Sequence, residues 1–145
     1  MMIKETEAIK KCCLYASDFH LEMILLPYIR ERIDKKTFII ITQNDLSETI
    51  KILLNRVNIN KEDRKKILDI DWTEYNGKDF NYIKESDNIE IIINGNNSFI
   101  EELNDRIKSL NNKINIVNCY NINDKELNIN SIKNNYEDFL NTTKL

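Results

Sequence analysis

Between Cys12 and Gln43 the chain runs through an apolar stretch (CCLYAS), an amphipathic stretch (DFHLEMILLPYIRERIDKK) and a second, β-branched apolar stretch (TFIIITQ). This is the pattern of a strand, a crossover helix and a second strand, and a crossover of that length makes the two strands parallel. The continuous Ile39-Ile-Ile41 run suits a strand covered on both faces. One such unit constrains the rest of the chain, because its sheet exposes apolar surface on both sides until further units cover it.

Later segments supply those units. The first strand is expected over Lys11 to Ala16 and the second over Thr37 to Thr42. A third is expected over Ile67 to Trp72, a fourth over Ile89 to Ile93 and a fifth over Ile114 to Cys119. Helices are expected after Ser17 or Asp18, after Asp45-Leu-Ser-Glu48, after Asn60 and after Ser98-Phe-Ile-Glu101, each a capping pattern. Pro27 predicts a kink or a late start in the first helix. Ile132, Tyr136, Phe139 and Leu140 predict a closing C-terminal helix. The fold class is therefore α/β, a three-layer αβα sandwich with a mainly parallel five-stranded sheet of degenerate RecA-like or Rossmann-like type. Residues 1–145 read as a single domain, with 1–10 a leader and 73–87 a long polar loop.

Composition excludes several classes. No apolar stretch approaches the ~18 residues of a membrane span, and the N-terminus lacks a signal-peptide core, so a cytoplasmic protein is expected. The net charge of −3, with basic and acidic residues interspersed, gives no basic stripe for nucleic acid. Cys12, Cys13 and Cys119 lack metal-site or redox spacing, and no metal or cofactor is expected. The turn Ala16-Ser17-Asp18 holds no glycine and carries a negative charge, so it cannot wrap phosphates as a nucleotide loop does. A serine triad is also excluded, because no serine has elbow glycines around it.

In open α/β sheets ligands bind beyond the carboxyl ends of the strands. That rule selects Tyr15, Ser17, Asp18 and His20, then Thr42, Gln43 and Asn44, then Asp71 and Trp72, then Asn94 and Gly95, and finally Tyr120 and Asn121. Tyr15, Ser17, Asp18, His20, Asp71, Trp72, Asn94 and Tyr120 form the candidate ligand site, and Cys13 with Cys119 a candidate thiol site. Each has a structural alternative: Ser17 and Asp18 as caps, His20 as a helix-packing residue, Trp72 as core, and the cysteines as small buried hydrophobes.

The order of segments resembles a known family. LYASDFHLEMILLPYIRERIDKKTFIIIT, with its Pro27-Tyr28 pair, resembles the opening of the MEDS domain, the sensory domain of methanogens and methylotrophs. Ile67-Leu-Asp-Ile-Asp-Trp72 followed by Tyr75, Gly77 and Lys78 is similar to its third strand and aromatic loop. Glu102-Leu-Asn104 and Asn118-Cys119-Tyr120-Asn121 resemble its later helix and strand end. The resemblance implies a RecA-like core without its phosphate loop, acting as a stand-alone, non-catalytic sensory or regulatory domain. Its partner would be a small molecule, a regulatory protein or both. The alternatives are a small cysteine-dependent enzyme using His20, and a protein-interaction module such as a homodimer burying the C-terminal helix.

Overall fold

The computed structural model describes residues 9–77, 83 and 88–140. It is an α/β sandwich whose five strands all run parallel, in the order β2-β3-β4-β1-β5. These are β1 (Lys10–Tyr15), β2 (Thr37–Thr42), β3 (Ile89–Gly95), β4 (Asn115–Asn121) and β5 (Phe139–Leu140). The helices are α1 (Asp18–Arg32), α2 (Ser47–Arg56), α3 (Lys61–Leu68), α4 (Asn97–Leu110) and α5 (Ile129–Asn135).

Strand alternation divides the core in two. Cys13, Tyr15, Phe38, Ile40, Ile92, Val117 and Cys119 point to one face, where α1, α2 and α3 pack with Leu21, Leu25, Leu54 and Ile67. Cys12, Ile41, Ile91, Ile93, Ile116 and Tyr120 point to the other, where α4 and α5 contribute Ile100, Leu103, Ile107 and Ile132. Strands buried on both sides read as unbroken apolar runs, which is why these were visible in the sequence.

The strand expected at Ile67 to Trp72 does not form. Asn60 caps α3 through a 2.8 Å bond from the Asp63 N–H, and Ile67 is buried as a helical residue. The chain then turns, and the Trp72 indole N–H donates to the Ile67 carbonyl at 2.8 Å. Alternating Asp69 and Asp71 gave this turn the look of a strand. The fifth strand is instead β5, within the expected C-terminal helix. That helix stops at Asn135, and Phe139 and Leu140 pair with Cys12 and Cys13, with the Cys12 N–H donating to the Asp138 carbonyl at 2.9 Å. The otherwise unpaired edge of β1 supplies the reason, since buried backbone groups need partners.

Pro27 does not delay the helix: α1 starts at Asp18 and runs unbroken through it. The carbonyl that loses its partner belongs to Met23, an exposed residue that water reaches. Helix α4 is capped by Asn96, which accepts from the Phe99 N–H at 2.8 Å, rather than by Ser98. The expected leader, 1–10, lies outside the described residues except for its last two. Of the 73–87 loop, Glu74 bridges to Thr42 at the end of β2 and Ile83 is buried, while 78–82 and 84–87 lie outside.

Gly95 ends β3 where a side chain has no room, since an added Cβ would lie 2.5 Å from Gln43 Oε1 and 2.6 Å from Phe99 Cδ2. Gln43 is held there by the Asn96 N–H at 2.6 Å. Gly95→Ala is therefore expected to cost about 1–3 kcal/mol in urea denaturation, the range for overpacking. A loss below about 0.5 kcal/mol would show that Gln43 and Phe99 give way freely.

Candidate functional site

Two crevices open at the carboxyl ends of the strands. Helix α1 after β1 lies on one face while the chain after its neighbour β4 turns to the other, and β2 and β3 diverge in the same way through α2 and α4. At each, side chains of the protein bond the turn backbone. In the first, the Ala16 N–H donates to His20 Nδ1 at 2.9 Å and Asn123 Nδ2 donates to the Ala16 carbonyl at 3.1 Å. Ser17 caps α1, accepting from the His20 N–H at 3.2 Å, with Asp18 the first helical residue. In the second, Gln43 packs against Gly95 as described.

Beneath these turns lies a closed polar chain. The Tyr15 hydroxyl donates to Asn94 Oδ1, and Asn94 Nδ2 donates to Thr42 Oγ1 at 3.1 Å. Thr42 Oγ1 in turn donates to the Asn44 carbonyl at 2.8 Å. Tyr15, Asn94 and Thr42 are all buried, and burial first, then the nearby Cys119 and Asp18, pushes the Tyr15 pKa up. The chain brings Tyr15 and Asn94 together, as the strand-end rule expects, but as a satisfied internal network.

The other candidates separate. Trp72 is a core residue, 3% exposed, whose carbonyl accepts from the Leu46 N–H at 2.9 Å, while Asp71 is exposed and accepts from the Thr73 N–H at 3.0 Å. Cys13 and Cys119 are direct partners in the β1/β4 register, and with Cys12 they are wholly buried. Burial, and then Cys13, raises the Cys12 pKa to about 12, and burial holds Cys119 well above the ordinary thiol value. Thiols so placed are poor sources of thiolate. Among the described residues no group of three or more His, Cys, Asp or Glu side chains could hold a metal ion. None of the described helices is long and apolar enough to cross a membrane.

Tyr120 lies on the opposite face, and it belongs to an open site. Asn118, in the middle of β4, exchanges amide hydrogen bonds with Asn104 of α4 at 2.8 and 3.2 Å. Asn118 Nδ2 also donates to the Tyr136 hydroxyl at 2.8 Å, and the Tyr136 and Tyr120 hydroxyls are 2.9 Å apart. The two rings meet edge to face at 6.2 Å. Between α4 and α5 this network lies in a groove of about 420 Å³. Glu101 and Asp105 line it from α4, Asn135 and Tyr136 from the end of α5, and Lys10 from the start of β1.

Sequence reasoning missed Asn104 and Tyr136 as site residues, because each sits within an apolar helical stripe. The signal available was a pair of asparagines, Asn104 and Asn118, at positions whose neighbours are core residues.

It also missed Glu22, wholly buried on α1 beneath the closed strand ends. Glu22 Oε2 accepts from the Thr49 hydroxyl of α2 at 2.9 Å, and Oε1 has no partner among the described residues. Burial is the main cause that raises its pKa from 4.5 to about 7, Thr49 opposing and Asp18 adding to it. A raised carboxyl pKa contributes stability that is complete below pH 4.5 and is lost as pH rises through about 7. Between pH 5 and 8 the wild type should therefore lose up to about 3 kcal/mol relative to Glu22→Gln in parallel urea denaturations. Equal pH profiles for the two proteins would mean that Glu22 stays charged when folded.

Comparison of the chain with protein-family models, with curated proteins and with solved structures gave no match.

Proposed function

We propose that this chain is a non-catalytic regulatory domain that binds a small molecule in the groove between α4 and α5. The observation that carries the reading is the groove itself. Its volume of about 420 Å³ falls within the range of small-molecule sites, and it combines apolar walls at Ile100 and Ile132 with convergent amide and phenol groups. At the strand ends, by contrast, His20, Asn123 and Gln43 are engaged with the turn backbone.

The resemblance of the sequence to a MEDS domain points the same way, towards a sensory module with a RecA-like core. An all-parallel sheet with no glycine in the β1–α1 turn is compatible with such a core lacking its phosphate loop. Three free, buried cysteines suit a reducing compartment, and we place the protein in the cytoplasm. The thiol-enzyme alternative has less behind it, since its nucleophile would have to be a buried thiol held protonated.

The signal would pass by population shift. Tyr136 links the groove to β5, because its ring stacks edge to face on Phe139 at 6.3 Å and its hydroxyl bonds Asn118. β5 has two residues at the edge of the sheet, so little free energy holds it there. A ligand that braces Tyr136 favours the docked α5–β5 segment, and a partner that reads that segment senses the ligand.

Native mass spectrometry of freshly purified protein is expected to show a small-molecule adduct. Asn135→Trp, which fills the groove from its exposed rim, should remove it without lowering the melting temperature. A retained adduct would move the site elsewhere. Adduct-free protein whose groove amide resonances ignore every small molecule titrated would overturn the reading.

A further inference from the structure

Resting on that reading of the groove, we propose that its ligand is recognised through an ammonium group, so that the site takes a small organic amine. The argument begins with charge. Glu101 and Asp105 are one helical turn apart on α4 and line the same wall. Among the described residues neither is in an ion pair, and the only hydrogen bond to Glu101 is a long one of 3.5 Å from Asn97. The Glu101 charge is also felt at the floor of the groove. After burial and the bond to Tyr136, its charge is one of the causes that raise the Tyr120 pKa.

The aromatic component is placed to act on the same group. The Tyr120 and Tyr136 rings meet edge to face within the groove, and aromatic faces attract cations through the ring quadrupole. Asparagine carbonyl oxygens at the rim, Asn97 and Asn135, add neutral acceptors for the three N–H donors of a primary ammonium. A carboxylate ligand would find two like charges on this wall against the single opposite charge of Lys10, and a neutral alcohol would find no charge to pair with.

Lys10 gives the site a direction. It pairs in register with Ile116, four residues before Tyr120 on β4, which places it roughly 13 Å further along the groove at about 3.3 Å per residue. A cation is repelled from that end and drawn to the Glu101 end. The ligand therefore enters with its ammonium beside Tyr120 and its apolar body along Ile100 and Ile132.

Three probes of matched shape test this by NMR titration of the isotope-labelled full chain: phenethylamine, phenethyl alcohol and hydrocinnamate. Phenethylamine is expected to shift the Asn104, Tyr120 and Tyr136 amides saturably, with at least about tenfold higher affinity than the alcohol and no saturable shift from the acid. The double variant Glu101→Gln, Asp105→Asn changes only exposed residues and should lower amine affinity about tenfold while leaving the alcohol unaffected. Saturable shifts at the same amides of equal strength for all three probes would overturn the ammonium assignment and leave the groove as a binding site. No saturable groove shift from any probe, with an adduct still absent in native mass spectrometry, would overturn both.

Discussion

The interaction on which most of this structure depends is the amide of Asn118. A primary amide in the middle of a central strand is among the costlier groups to bury, and it is tolerated only when its donors and acceptor are engaged. Asn118 meets that demand from two directions, from Asn104 on α4 and from Tyr136 beyond α5. Both must be in place together. The pairing thus fixes the position of α4 over the sheet and the return of the chain towards β5. It also fixes the gap between the two elements, which is the groove. A leucine at position 118 could pack against the same isoleucines with no such requirement, and the helix register would then rest on shape alone.

The two faces of the sheet deal with polar side chains differently, and the contrast accounts for where an open site is found. Under α1 and α2, Tyr15, Asn94 and Thr42 bond only to one another and to backbone, so nothing remains to be offered outward. Under α4 and α5, helix α5 has only seven residues, and a groove lies between it and α4. Asn104, Tyr120 and Tyr136 there line an opening. On this face the internal network borders a groove.

The sequence made the position and parallel direction of the central strands legible, though not their order in the sheet, because strands covered on both faces are apolar along most of their length. Ile39-Ile-Ile41, Ile91-Ile-Ile93 and Ile116-Val117 could hardly lie elsewhere. It misled where two periods coincide. Ile67 to Trp72 alternates like a strand yet ends a capped helix, and Phe139-Leu140 continues a helical spacing yet pairs with Cys12 and Cys13 because an edge was vacant. Of the candidate residues, Tyr15, Asn94 and Tyr120 do lie near strand ends, but a one-dimensional pattern does not say which of them bond only to one another. Glu22 and Asn104 were hidden for a related reason: a polar residue inside an apolar stripe acquires meaning only through what faces it.

The paired thiols of β1 and β4 have a practical consequence. Cys12 faces α5 and β5, whereas Cys13 and Cys119 are adjacent across the central ladder on the α1 face, and no reagent reaches those two while the core there stays closed. Their modification would be gated by separation of the sheet at its middle, an event close to global opening. The protein thus contains its own clock: the rate at which Cys13 and Cys119 consume a thiol reagent counts excursions of the core, while Cys12 reports on the α5–β5 segment.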